Sequence, residues 1–194
     1  MMDLMELLRG RRTYRRFAQK AVPQAAIDDM IEAVRLSSSA RNAQPIRLLV
    51  VDKPDDVAAV NGLVKWAGAL PPELGTPKPG EQPTLFLAVL QDTSLGGEQN
   101  TDAGIALANL TLAAWSHGIG SCIMGAIDRP RLREMFALPD ALALHTMVAL
   151  GYPAHRSAVV PMDEGGSTKY YLDEARDYYV PKRSASDIAR YLHG

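Results

Sequence analysis

The chain has 194 residues, 47% of them hydrophobic, a formal net charge of −1 and a single cysteine, Cys122. A chain of this size buries about 70% of the surface it exposes when unfolded, so one domain over residues 1–194 with a real core is expected, and wholesale disorder is excluded. Near-neutral charge argues against a nucleic acid as the principal partner, and the lone cysteine excludes an internal disulfide and fits a reducing, cytoplasmic compartment.

Asp3 is the expected N-cap of a short helix through Leu4, Leu7 and Leu8 that ends near Gly10. Asp3 and Glu6 break the early apolar stretch and the arginines follow it, the reverse of a secretory signal. No run reaches the ~18 to 20 apolar residues of a membrane span. Arg9, Arg11, Arg12, Arg15 and Arg16 then crowd together around Thr13. Guanidinium forks match phosphate oxygens two at a time; taken alone, the cluster also reads as a solvated helix end offsetting the helix dipole.

Pro23 opens a second helix, with Ile27, Met30, Ile31 and Val34 at helical spacing. Ser37-Ser38-Ser39-Ala40-Arg41-Asn42-Ala43-Gln44-Pro45 is a polar loop. Its donors and acceptors suit a polyol and a heteroaromatic edge, and it reads equally as a plain helix-to-strand connection. Leu48 to Val51 is β-rich, and Pro54 starts a helix running from Asp55 to about Trp66. From 68 to 83, five prolines alternate with Gly75 and Gly80, the pattern of a surface excursion and mobile flap.

Thr84 to Leu90 is a buried strand. Asn100 or Thr101 is expected to cap the longest helix, Asp102 to His117, which Gly118 and Gly120 end. That helix is apolar or small nearly all round, so it is central. Ala103, Ala106, Ala113 and Ala114 predict close packing, against a twin helix or within the protomer's own core. Further strands are expected at Ile119 to Met124 and at His145 to Leu150, the latter closed by Gly151-Tyr152-Pro153, with a small helix between them from Arg129 to Phe136. Asp163 to Asp177 reads as irregular, and Ser184 as the cap of a last helix to Leu192. Without regular βαβ alternation, the class is α+β: helices around a small mixed, mainly antiparallel sheet.

No metal site is legible, because His117, His145, His155 and His193 lack paired spacing. Cys122 lies in an apolar strand, where a thiol is inert core. There is no G-x-S-x-G elbow, no P-loop, and no G-x-G-x-x-G after a strand. Pro181-Lys182-Arg183 adds two cations near the C-terminus.

Arg-Arg-Thr-x-Arg-x-Phe, followed by Ser-Ala-x-Asn-x-Gln-Pro leading into a strand, resembles the FMN-dependent nitroreductase family. Gly118-Ile119-Gly120-Ser121-Cys122-Ile123-Met124-Gly125-Ala126, Leu150-Gly151-Tyr152-Pro153 and Val180-Pro181-Lys182-Arg183 extend the resemblance over essentially the whole chain. It implies an α+β homodimer with two FMN molecules at the subunit interface. It also implies that Arg11, Arg12 and Thr13, joined by Lys182 and Arg183, hold the phosphate and ribityl chain. Arg15 would lie near the pyrimidine end of the flavin as its tuning cation. Ser39, Asn42 and Gln44 would contact the cofactor, Ser39 from the partner subunit, and backbone groups of Ile123, Met124 and Gly125 would line the ring. The implied reaction passes reducing equivalents from NAD(P)H to a small acceptor, a nitroaromatic or quinone, in two steps. Dehalogenation or dehydrogenation on the same fold, and flavin storage without turnover, stand as alternatives. Two departures from the family pattern stand out: Ile46 where an aromatic residue is common, and the 68–83 excursion, for which Trp66, Leu70 and Lys78 are the expected channel-lining residues.

Overall fold

The computed structural model describes residues 3–95, 99–163 and 165–192. Along the chain these form α1 (Leu4–Gly10), β1 (Phe17–Ala18), α2 (Gln24–Arg35), β2 (Ile46–Val51), α3 (Pro54–Asn61), α4 (Pro72–Gly75), β3 (Leu85–Asp92) and α5 (Gln99–Ser116). The second half supplies β4 (Gly120–Met124), α6 (Arg129–Met135), β5 (Leu142–Pro153), β6 (Ser157–Pro161), β7 (Tyr171–Leu172), β8 (Tyr178–Lys182) and α7 (Ala185–Ile188).

β5 organises the main sheet. Its residues 142–150 pair antiparallel with β3, and residues 147–151 pair antiparallel with β4. Since the two partners share residues of β5, they flank it on opposite edges. β2 extends the sheet beyond β3, and β1 pairs with the end of β5 at Tyr152 and Pro153. A smaller sheet, β6-β8-β7, has one parallel pair, β6 with β8.

The alternation of side chains along β3 divides the core in two. Phe86, Ala88 and Leu90 face a cluster that holds Tyr14, Phe17, Val57, Val60, Trp66 and Leu132. Leu85, Leu87 and Val89 face the opposite cluster, against Ile27 and Met30 of α2 and Leu107, Leu110 and Ala114 of α5. A strand covered on both faces must be apolar at every position, as this one is almost to its end.

Several expectations change in detail. α5 is described from Gln99 onward, which places Asn100 and Thr101 within the helix instead of at its cap. α3 stops at Asn61, because Gly62 closes it and Val64 leaves to bridge Ile127. The last helix is only Ala185–Ile188, although Ser184 does cap it. The irregular 163–177 stretch contains β7. Most informative is α5: Ala103, Ala106 and Ala114 are buried within the protomer, while the side turned outward carries Gly104 and Ala108. The alanines in question therefore serve the protomer's own core, and a different pair of small residues faces away from it.

Candidate active site

The arginine segment is laid against the edge strand β4. Thr13 forms a parallel bridge with Ser121, and the Tyr14 N–H donates to the Ser121 carbonyl at 2.9 Å. Gly120 makes this approach possible, since a Cβ there would sit 2.7 Å from Cδ2 of the Tyr14 ring. Two residues along β4, Ile123 is 45% exposed at the sheet edge, and the exposed Gly125 opens onto free space. Thr13, Arg15 and the Ile123–Gly125 backbone thus share one margin of the sheet.

The charges on this margin are not balanced from within. Arg11 Nη1 reaches Thr111 Oγ1 of α5 at 3.4 Å, and Arg12 donates to the Leu8 carbonyl. Burial and then the neighbouring charge of Arg11 hold the Arg12 guanidinium below its ordinary pKa. The Nε groups of both Arg12 and Arg15 are buried without a hydrogen-bond partner. Orphaned donors on like charges are costly, and acceptor oxygens of a bound ligand would offset that cost. The Nε groups of Arg16 and Arg176 are likewise without a partner among the described residues, but Arg16 also donates to the Arg176 carbonyl at 2.7 Å and lies 3.7 Å from Glu81, a structural tie beneath the segment.

Arg15 is gripped from two directions. Its main-chain N–H donates to His155 Nε2 at 3.0 Å, while its guanidinium lies over the rings of Tyr170 and Tyr178, 4.6 and 5.0 Å from their centroids. His155 in turn donates from Nδ1 to the Arg156 carbonyl at 2.8 Å and packs between Tyr14 and Tyr178. Accepting at Nε2 and donating at Nδ1 fixes one neutral tautomer. Burial, followed by the charge of Arg16, pushes the imidazole down to about 4.

The Ser39–Gln44 loop is built separately, at the N-terminal end of α5. Asp102, buried, accepts the Ala40 N–H at 2.9 Å, and Ser39 Oγ accepts the Gln44 N–H at 2.8 Å. Arg41, Asn42 and Gln44 all adopt positive φ, at 52°, 54° and 49°. Strain of this kind in ordinary side chains persists only where the surroundings impose it, and it concentrates at ligand sites. Beside the loop lies a cleft of ≈ 270 Å³ lined by Ile31, Val34, Ile46 and Ala106 together with Ser37 and Asp102. Arg11 touches α5 at Thr111 and the loop touches it at Asp102, nine residues or about 13 Å apart along the helix axis.

Lys182 ends β8 on the small sheet and Arg183 follows it, both exposed, and no hydrogen bond or ion pair among the described residues joins them to Arg11 or Arg12. Gly125 is followed by Ala126–Asp128, which pairs with Leu63–Lys65: the Lys65 N–H donates to Ala126 O at 2.9 Å and the Asp128 N–H to Leu63 O at 2.8 Å. The 68–83 excursion therefore leaves from beside the β4 margin. Leu70 and Lys78 retain some exposure on it, but Trp66 is buried core, its Nε1 donating to Asn61 Oδ1 at 3.2 Å, and lines no channel. Cys122 is buried too, and desolvation pushes its thiol up to about 11, so it is inert.

Sequence reasoning missed Asp102, His155, Tyr170 and Tyr178. The signal available for the last two was the pair of tyrosine doublets, 170–171 and 178–179, in an otherwise polar stretch.

The protomer is thus an α+β domain with a cationic margin beside an open strand edge and a strained polar loop. The Nitroreductase family model matches residues 8–152, and the chain belongs to that family. It is 28% identical over 174 residues to the Bacillus subtilis FMN reductase [NAD(P)H], covering 83% of this chain and 70% of the relative. It is also 28% identical over 172 residues to the Thermus thermophilus NADH dehydrogenase, covering 74% and 83%. A Desulfovibrio desulfuricans protein solved in complex with FMN shares the fold at a TM-score of 0.71 and 22% identity, over 100% of this chain and 99% of that one.

Proposed function

We propose that this protein is an FMN-dependent oxidoreductase that passes reducing equivalents from NAD(P)H to a small acceptor such as a nitroaromatic or quinone. The observation that carries the reading is the unbalanced arginine margin. Arg11 and Arg12 repel one another, the Nε donors of Arg12 and Arg15 are buried without partners among the described residues, and Thr13 between them bridges Ser121 on the strand that leads to the exposed Ile123 and Gly125. The residues fit FMN. Arg11, Arg12 and Thr13 would take the phosphate and ribityl end, and Ile123, Met124 and Gly125 the ring edge. When bound, the flavin supplies the hydride chemistry that the side chains of this chain lack.

The protein's own contribution is placement and charge. Arg15 faces the pyrimidine end, where a fixed cation offsets the negative charge that reduction builds there. The Ser39–Gln44 loop meets α5 at Asp102 and Arg11 meets it at Thr111, about 13 Å apart along the axis, which suits a cofactor held between two protomers, with Ser39, Asn42 and Gln44 of each serving the other's arginines. Lys182 and Arg183 complete the phosphate site in that assembly. Names of relatives support the same reading: an FMN reductase [NAD(P)H] and an NADH dehydrogenase.

Purified protein reconstituted with FMN should bleach at the flavin band on adding NADH or NADPH and recover on adding a quinone. No bleaching with either nicotinamide would sink the reductase reading. Replacing Arg11 and Arg12 by alanine should abolish FMN retention through gel filtration; undiminished flavin content would remove the phosphate assignment.

A further inference from the structure

Tyr170 and Tyr178 are not among the residues assigned to the phosphate or the ring edge, yet they hold the one cation assigned to the ring. A guanidinium is planar, and its N–H donors all lie in the plane. Tyr170 and Tyr178 both lie on one side of it: Cζ is 4.6 and 5.0 Å from their ring centroids, which are only 5.9 Å from one another. Nε of Arg15 is buried and still lacks an acceptor. Tyr178 is fixed in its turn, almost wholly buried and packed on His155, whose Nε2 receives the Arg15 N–H. Tyr170 packs on Tyr178 at 5.9 Å. Main chain and side chain of Arg15 are therefore immobilised by a single stack that the C-terminal arm delivers.

We infer that Tyr170 and Tyr178 are positioning residues that clamp the Arg15 guanidinium from one side and hold it toward the electron-rich carbonyl end of the flavin, so that the arm beyond residue 155 helps set the flavin's reduction potential. The inference rests on the reading of Arg15 given above. A long, unclamped arginine would spread over many rotamers and into water, and its charge would act on the ring only part of the time. Clamped, it acts continuously and favours the reduced form.

The test compares FMN-loaded wild type with Tyr170→Ala, Tyr170→Phe and Arg15→Ala, measuring midpoint potential by dye equilibration and FMN affinity by fluorescence. Tyr170 is chosen because it is only partly buried, and unfolding curves check that each variant folds. Tyr170→Ala should shift the oxidised-to-reduced equilibrium about tenfold toward oxidised, which is about 30 mV for a two-electron couple, with FMN affinity changed less than about threefold. Tyr170→Phe, which keeps the aromatic face, should stay at the wild-type potential. An unchanged potential in Tyr170→Ala, with Arg15→Ala shifted, would overturn the clamp and leave the flavin reading standing. An unchanged potential in Arg15→Ala would overturn the role of Arg15 and the clamp together. Equal shifts in the Phe and Ala variants would assign the effect to the tyrosine hydroxyl and overturn positioning by the aromatic ring.

Discussion

His155 shows how one side chain couples the site to stability. Its ordinary pKa of 6.5 falls to about 4 in the folded protein, so between those values the unfolded chain binds the proton and the folded one does not. Stability contributed by the neutral ring is therefore complete above pH 6.5 and is lost as pH falls through about 4. Thermal unfolding followed from pH 8 to 4 should show a decline that begins near 6.5; His155→Gln, which keeps an acceptor for the Arg15 N–H, should flatten it. Gly120 is a second residue with a sharp consequence. A methyl at this position would meet the Tyr14 ring at 2.7 Å, and the ring is itself stacked on Trp115 at 5.3 Å. Gly120→Ala should cost about 1 to 3 kcal/mol in urea unfolding and weaken FMN retention, because the arginine segment is hung on that contact.

Among elements, the 68–83 excursion behaves differently from the free flap its prolines suggest. Glu81 ends it and receives Arg176 at both carboxylate oxygens, at 3.0 and 3.3 Å, with the Lys78 N–H at 3.0 Å. The Glu81 carbonyl accepts the Phe17 N–H at 2.8 Å. Burial works against this carboxylate, but the Lys78 N–H and Arg176 together hold it below its ordinary pKa. Glu81→Gln should therefore lose about 1 to 2 kcal/mol and expose residues 68–83 to limited proteolysis, read by mass spectrometry of the fragments. Resistance equal to wild type would show that the latch is dispensable. What was legible in the sequence follows the same division. Helices and strands with strong apolar periodicity, such as α2, β3 and α5, announce themselves, since burial alone specifies them. Short β1, β6 and β8 do not, because their pairing is non-local, β1 has only two residues, and the side chains of β6 and β8 are mostly half-buried or exposed. The arginine segment and the 39–44 loop were legible because charge and polar density are local properties. The Asp102 anchor and the tyrosine clamp were not, since each joins residues more than sixty positions apart or across the C-terminal arm.

At the scale of the molecule, the outward side of α5 remains to be explained. Gly104 and Ala108 are exposed there, Ile105, Leu112 and Trp115 only partly covered, and Leu4, Met5 and Leu8 of the adjoining α1 are exposed as well. A long helix seldom leaves an apolar side in water when its opposite side is already buried core. Small residues at positions 104 and 108, one turn apart, permit close approach of a second helix. In the proposed dimer this side meets its symmetry mate, and the 39–44 loop of one protomer reaches the arginines of the other. Ala108→Arg places a charge at the centre of that contact without touching the protomer's core, so the variant should fold with wild-type circular dichroism. Sedimentation should then give a monomer where wild type gives a dimer, and FMN affinity should fall by about tenfold or more, roughly 1.4 kcal/mol, because half of each cofactor site leaves with the partner. A monomeric Ala108→Arg protein that binds FMN as tightly as wild type would place the whole site within one protomer, and the separation of the loop from Arg11 along α5 would then need the loop to move.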